Sequence, residues 1–274
     1  RVNHETNKRY ESYALGEASK GLYEFVWNDF CDWYLELIKP RLNPAKDSKE
    51  LLDDKKISLQ VMFKVLSEVL IMIHPLMPHL TEELWHGITG KSEDDLLALQ
   101  SWPKPCENFL NDDLELSFIQ LFSSIKLVRN LRSEAGLKPS QKVPVCFITN
   151  NNQLINILSN SKADIQSLTR AQKVDIIQPG ELDKRPSSKS LAGVSGELEV
   201  VLPLEGLVDL EALIARLKKD LIKAEKEILI LNGRLENKNF TEKAPKEVVD
   251  ECRKKLSEVV IQADLARARL TSLV

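Results

Sequence analysis

The chain has 274 residues, of which 43% are hydrophobic and 29% charged, so it can bury a sizeable core. Its net charge of −3 excludes a globally basic nucleic-acid-binding protein but permits a basic surface on a near-neutral one. No uncharged apolar run approaches the ~18 residues of a membrane helix, and we expect no secretion signal because no charged-then-apolar leader follows Arg1. Because there is no initiator Met, we expect a piece of a longer protein. The four cysteines form no CxxC motif, so we expect free thiols and a cytoplasmic protein.

Residues 1–135 have the apolar periodicity of α-helices. Apolar residues spaced three and four apart predict helices over residues 15–37, 57–73, 78–85 and 114–135. We expect Pro40 and Pro44 to close the first helix, Pro75 to end the second and Gly136 to end the last. Antiparallel packing of these stripes predicts a helical bundle.

Residues 136–206 have a different pattern. Short β-branched or alternating segments predict strands over 143–148, 174–177 and 196–202, and an apolar-periodic stretch predicts a helix over 154–168. This composition indicates a small α/β module with too few strands to stand far from the bundle.

Residues 207–274 carry two heptad repeats. The repeats run from Leu210 to Leu235 and from Val249 to Leu273, and residues 237–245 connect them. Their matched lengths and short connector favour an antiparallel coiled-coil hairpin over pairing with other chains. The predicted fold class is therefore mainly α: a helical bundle, a small α/β module and a C-terminal hairpin.

The usual catalytic and cofactor motifs are missing from the sequence. No glycine-rich phosphate loop occurs, and His79 and His86, which bracket Glu82 and Glu83, lack the H-E-x-x-H spacing of a zinc site. We therefore predict no catalytic residue, no metal site and no cofactor bound by this chain.

Basic residues are more informative. Residues 207–274 hold 14 basic and 12 acidic residues, whereas the rest of the chain is net negative. The candidate phosphate contacts are Lys218, Lys219, Lys223, Arg234 and Lys238, with Arg129 and Arg132 as weaker candidates. Coiled-coil surfaces also carry lysine and glutamate for solubility, so charge alone leaves both interpretations open.

Five segments together resemble the C-terminal part of valyl-tRNA synthetase, a class I aminoacyl-tRNA synthetase. They are LYEFVWNDFCDWYLE at 22–36, HPLMPHLTEELW at 74–85 with Trp102-Pro103, VRNLRSEAG at 128–136, PLEGLVD at 203–209 and NFTEKAPKEVV at 239–249. The first three occur in looser form in the isoleucine and leucine enzymes. The last two, with the terminal hairpin, are similar to the valine enzyme specifically.

The resemblance implies three domains: residues 1–135 as an anticodon-binding bundle, 136–206 as the α/β module and 207–274 as a tRNA-binding arm. In that family the bundle binds the anticodon stem and loop, and the coiled coil lies against the outer corner of the tRNA, here tRNA(Val). The first helix of the bundle is expected to be truncated, which would leave residues 1–9 without a packing partner.

The resemblance also implies where the chemistry lies. The parent enzyme joins valine to its tRNA with ATP and Mg²⁺ in a catalytic domain, and its HIGH and KMSKS signatures do not occur in this sequence. The editing domain is missing too. We therefore expect a monomeric fragment that is inactive alone and has the catalytic and editing domains as partners within the parent chain.

Two other functions stay open at this point. The hairpin is also typical of a coiled-coil scaffold for protein partners, or of the arm of a ribosome-associated ATPase. The ATPase interpretation leaves the aromatic helix from Phe25 to Trp33 unexplained. Phe240, at the hairpin tip, could stack on an RNA base, but we expect it to cap the hairpin's own core.

Overall fold

The computed structural model describes residues 1–43, 49–90, 94–186, 189–243 and 245–273, with the backbone alone at residues 182, 238, 239 and 242. Contacts divide the chain into two compact units, residues 1–112 and 113–274. The first unit is helical, and the second combines helices with a small β-sheet. The mainly α fold with a small α/β part is confirmed.

The first unit begins with α1 (Val2–Glu11) and a long continuous helix. That helix comprises α2 (Leu15–Glu24), a stretch of wider π-type turns (Phe25–Leu35) and α3 (Glu36–Leu42). Pro40 lies inside α3, so the predicted stop at this residue is wrong. A proline removes one backbone hydrogen bond, and this loss is confined to the last turn because the helix ends at Leu42. Pro44 lies outside the described residues.

Helix α1 is well packed, so the expectation that residues 1–9 lack a partner is wrong. Thr6 is fully buried, and the Tyr10 hydroxyl donates to the Met72 carbonyl at 2.7 Å. The Trp102 indole N–H donates to Asn7 Oδ1 at 2.6 Å, and its ring meets Tyr10 edge-on at 5.7 Å. Tyrosine and tryptophan bury apolar rings and still satisfy a polar group, which joins segments distant in sequence.

Two further helices complete the core of the first unit. Helix α4 (Lys49–Ile73) begins earlier than predicted, because its first turns are charged and exposed and therefore lack an apolar stripe. It ends before Pro75 as predicted, and α5 (Pro78–Thr89) begins with the predicted proline in its first turn. Between them, Leu70 and Trp85 pack in one buried cluster.

Glu82 on α5 fixes the turn that follows the helix. Its carboxylate accepts the backbone N–H groups of Leu97 at 2.8 Å and Ala98 at 2.9 Å. Nε2 of His74 and Nε2 of His86 each lie 3.9 Å from a Glu82 oxygen. Burial raises the pKa of Glu82, but the two N–H donors and the two imidazoles outweigh it, so the pKa lies below the usual range.

Replacing Glu82 with glutamine is expected to lower the free energy of unfolding near pH 7 by about 1–2 kcal/mol, since an amide accepts these hydrogen bonds more weakly. A carboxyl with a lowered folded pKa stabilises the fold above its unfolded pKa, and this contribution is lost as pH falls through the folded pKa. Urea denaturation from pH 7 to pH 3 should show parent and variant converging in acid. Glu83→Gln, on an exposed neighbour, is the control. A difference that stays constant with pH would contradict the assignment.

A four-stranded mixed sheet forms the centre of the second unit, in the order β2-β1-β4-β3. Its strands are β1 (Val143–Ile148), β2 (Ala171–Ile177), β3 (Ser190–Ser195) and β4 (Leu198–Pro203). Strand β1 is parallel to β2 and antiparallel to β4, which is antiparallel to β3.

Three helices accompany the sheet. Helix α6 (Asp112–Glu134) precedes β1 in the chain. Between β1 and β2, where the sequence predicts a single helix, the structure has two, α7 (Asn152–Asn160) and α8 (Lys162–Thr169).

Helix α6 packs closely on β3 at Gly193. A Cβ atom at this glycine would lie 3.0 Å from a methyl carbon of Leu127 and 3.1 Å from one of Leu131. The contacts therefore group α6 with the sheet, whereas the predicted ranges place it with the bundle. Helix α6 ends at Glu134, and Gly136 shortly after it has φ +69°. This left-handed backbone conformation agrees with the predicted role of Gly136 as a helix stop.

The sheet core contains one of the four cysteines. Cys146 is buried with Ile148, Ile177 and Val201. Burial raises the pKa of this thiol to about 11, so it stays protonated at neutral pH. All four cysteines lie within the described residues and are free thiols.

The rest of the second unit is a helical hairpin, referred to below as the arm. It comprises α9 (Leu210–Glu236), the short α10 (Lys238–Lys243) and α11 (Lys246–Leu273). Helices α9 and α11 pack against each other, so the predicted hairpin is confirmed. Among the helices that the structure describes, none is long and apolar enough to span a bilayer.

Candidate nucleic-acid interface

The arm is held together by an apolar seam along α9 and α11. Asp209 caps the start of α9, where its carboxylate accepts the Ala212 N–H at 3.0 Å. The buried seam residues are Leu213, Leu217, Leu231, Val249, Cys252, Val259, Ala263, Ala266 and Leu273. Each buried leucine contributes roughly 1.5–3 kcal/mol. Phe240 packs against this core near the tip, as predicted.

Ion pairs across the arm join acids of α9 to bases of α11. Glu225 lies 2.8 Å from Arg267, and Glu227 lies 2.9 Å from Lys255. The hydrogen bond from Lys255 to Glu227 raises the pKa of that ammonium group. These pairs are exposed and stabilise the arm little, but they occupy the two carboxylates in the middle of α9.

The predicted cations of α9 are left free by this arrangement. Lys218, Lys219 and Lys223 are exposed, as is Arg234, and none of them forms an ion pair with another described residue. Lys219 and Lys223 are one turn apart and share the outward face, whereas Lys218 is rotated by about 100° from Lys219. The side chain of Lys238 lies outside the described residues.

Two basic residues of α9, Arg216 and Lys226, were not among the predicted contacts, and Lys226 lies beside the predicted lysines. Lys226 follows Lys219 and Lys223 at the i, i+4, i+7 spacing that places all three on one helix face. It is exposed and, within the described part of the chain, forms no ion pair. The heptad register identifies this residue, because it lies opposite the seam.

The two arginines predicted on α6 differ in their surroundings. Arg132 is only 8% exposed and donates to the carbonyl oxygens of Lys138 at 3.3 Å and Gln141 at 2.7 Å. Burial lowers its pKa, and its position argues against the predicted RNA contact. Arg129 is exposed, but its Nε–H donates to the Leu168 carbonyl at 3.1 Å, so it is partly committed to α8.

Polar contacts at one end of α6 and on β3 hold the base of the arm, called the arm root below. Arg269 of α11 lies 2.6 Å from the Glu134 carboxylate, and Arg216 of α9 donates to the Glu134 carbonyl. Ser272 donates to the Ser190 carbonyl at 3.1 Å. Both helices of the arm are therefore attached to the rest of the second unit.

The histidines form no metal centre in the described part of the chain. No group of three His, Cys, Asp or Glu side chains among those residues could hold a metal ion. His86 faces Glu82, and His79 is exposed on the same helix.

Comparison with known proteins gives two family matches. Residues 1–147 match the anticodon-binding domain of tRNA ligase, and residues 209–274 match the valyl tRNA synthetase tRNA binding arm. The second match covers the arm that carries the free lysines.

Curated relatives agree with these matches. The chain is 62% identical over its whole length to a valine–tRNA ligase of Prochlorococcus marinus, of which it covers 29%. It is 60% identical over its whole length to that of Parasynechococcus marenigrum, covering 30%. Over 98% of its length it is 42% identical to that of Thermosynechococcus vestitus, covering 28%. The chain thus spans less than a third of these relatives, and it belongs to the anticodon-binding domain family of tRNA ligases with a valyl-tRNA synthetase tRNA-binding arm.

Proposed function

We propose that this chain binds tRNA(Val) for a valine–tRNA ligase and carries out no chemistry itself. The observation that supports this is the set of uncompensated lysines on the outward face of α9, within the matched tRNA-binding arm. In this proposal the parent enzyme attaches valine to tRNA with ATP and Mg²⁺. We place the catalytic and editing domains in the rest of that parent chain, since this chain spans 29% of its relative. The chain acts as a cytoplasmic monomer.

Electrostatics support a polyanionic ligand. Like charges three and four residues apart destabilise an isolated helix by about 0.2–0.5 kcal/mol per pair. Lys219, Lys223 and Lys226 make two such pairs, and of the two carboxylates at the same spacings from Lys223, Asp220 and Glu227, the second is paired with Lys255. RNA phosphates would remove this repulsion and release counterions on binding.

The triple variant Lys219→Gln, Lys223→Gln and Lys226→Gln tests the proposal. We expect roughly 10- to 100-fold weaker binding of a tRNA(Val) transcript near 0.1 M salt, and a log–log salt slope that is smaller by about 2. Fluorescence titration over a range of salt concentrations measures both quantities.

A matched control distinguishes a contribution of the arm to tRNA binding from a general effect of positive charge. The variant Lys162→Gln, Lys173→Gln and Lys184→Gln removes the same charge from exposed positions of the α/β region. Equal losses in both variants would indicate nonspecific attraction, and unchanged binding in the arm variant would remove the arm from the RNA interface. Competition by a tRNA for another amino acid tests specificity for tRNA(Val).

A further inference from the structure

The helix that runs from α2 into the π-type turns exposes two large aromatic rings. Its buried side is filled by Leu22, Phe30 and Trp33. By contrast, Tyr23 is 64% exposed and Trp27 is 58% exposed. Their rings are stacked, with an interplanar angle of 6° and centroids 6.3 Å apart. This aromatic pair exposes roughly 200–300 Å² of ring surface, the size at which apolar patches begin to mark binding sites.

Carboxylates flank the aromatic pair. Glu24 directly follows the first ring in the sequence, and Asp32 lies one π-type turn after the second. Both carboxylates are exposed, and Asp32 forms no ion pair with another described residue. Of the nearby cations, Lys20 lies 3.9 Å from Glu24. Arg9 is paired with Glu5. The aromatic pair, Glu24 and Asp32 therefore form a negatively charged surface, called the acidic aromatic face below.

We propose that the acidic aromatic face binds a basic segment of the parent enzyme that lies outside these 274 residues. Arginine or lysine side chains of that segment stack on Trp27 and pair with Asp32. The inference rests on the proposed function, because that function makes the chain part of a longer ligase. It names the surface through which the chain contacts the rest of that ligase.

The share of the relatives that the chain spans favours an occupant from the parent enzyme. The chain covers 29% of the Prochlorococcus marinus relative, so most of such a protein lies elsewhere. Domains of one chain meet through modest interfaces that are more polar than obligate ones. A face with two rings and two carboxylates has this character, whereas an obligate interface between two copies would be larger and more apolar.

Charge argues against RNA as the occupant. Stacked aromatic rings can hold an unpaired base, but protein sites for single strands place cations beside the rings to neutralise the phosphates. Here the groups beside the rings are Glu24 and Asp32, and the ammonium group of Lys20 already faces Glu24. The same carboxylates attract a basic protein surface, and an arginine gains from both the ring face and the carboxylate.

Hydroxyl-radical footprinting of the whole parent enzyme and of the 274-residue chain tests the inference. Oxidation of Tyr23 and Trp27 should be roughly fivefold slower in the parent enzyme, because side chains that are more than half exposed enter an interface core. Phe109, which is 78% exposed in a short turn, should react at similar rates in both proteins. Equal rates for the aromatic pair in both proteins would overturn the inference, as would equal protection of Phe109.

A charge reversal tests the basic character of the segment. In the parent enzyme, Asp32→Lys should restore roughly half or more of the lost Trp27 reactivity, because like charges across an interface repel. In the 274-residue chain the same change should leave the Trp27 rate unaltered, since the ring is exposed there. Glu83→Lys on α5 makes the same charge change as a control and should leave Trp27 protected. Full protection of Trp27 in the Asp32→Lys enzyme would overturn the assignment of a basic segment.

Other occupants give distinct results. Protection of the aromatic pair that appears only when a tRNA(Val) transcript is added would assign the face to RNA and overturn the inference. Protection of the 274-residue chain that grows with its own concentration would assign the face to a second copy, with the same consequence. Failure of the proposed function would appear instead as unchanged tRNA binding by the triple lysine variant of the arm, which does not alter this footprint.

Discussion

Replacing Arg132 with alanine is expected to lower the free energy of unfolding by about 2–3 kcal/mol, because two carbonyl groups lose a charged donor and a cavity forms. Its guanidinium holds the carbonyl oxygens of Lys138 and Gln141, and the Gln141 amide in turn donates to the Leu207 carbonyl at 2.5 Å. Arg132 therefore fixes the loop that contacts the segment leading into α9. Urea denaturation measures the loss of stability.

A second measurement distinguishes this structural role from the RNA contact predicted from the sequence. If Arg132 contacted a phosphate, Arg132→Ala would reduce the salt slope of tRNA binding by about 0.7–0.9. We expect an unchanged slope for the folded variant. Arg132→Lys keeps the charge but loses the planar fork of donors, so its stability should also fall. A lysine variant as stable as the parent would contradict this role.

Replacing Glu134 with alanine is expected to lower the free energy of unfolding by about 2–3 kcal/mol, since the guanidinium of Arg269 loses its partner in a site that is largely shielded from water. The Arg269 side chain is 13% exposed and that of Glu134 33%. The bond from Arg216 goes to the Glu134 carbonyl and persists in the variant. Chemical denaturation measures this change in the free energy of unfolding.

A double-mutant cycle with Arg269→Met isolates the ion pair. The coupling energy between Glu134→Ala and Arg269→Met should be about 1–2 kcal/mol, because the second change costs little once the first is made. Additive losses would show that Glu134 and Arg269 act independently. Glu205→Ala, on an exposed residue near the start of the arm, is the control and should change stability little.

The sequence predicted the arm well and the sheet less well. The heptads from Leu210 to Leu235 indicate a buried seam directly, because a two-helix hairpin buries one stripe on each helix. Strand β3 was missed because four of its six residues, Ser190, Ala192, Gly193 and Ser195, have weak β-propensity. Its glycine is explained only by the approach of α6. Pro40 was misjudged because a helix near its end tolerates the loss of one hydrogen bond.

The candidate site shows a similar limit. The sequence identified Lys219 and Lys223 as cations on a helix, but pairing between helices decides which cations stay free. Glu225 and Glu227 could equally have paired along α9, and only the register of α11 directs them to Arg267 and Lys255. Arg132 was predicted as an RNA contact because a basic residue in a helix gives no sign of the loop carbonyls that surround it.

The arm root has a consequence for which part of an RNA the arm can reach. Helix α9 has 27 residues, which at 1.5 Å per residue makes it about 40 Å long. Because of this length, a tilt of about 10° at the base of the helix displaces its far end by about 7 Å. This displacement is roughly the spacing between neighbouring nucleotides. Substitutions at Glu134 or Arg269 can thus change which nucleotides are contacted without touching any of them.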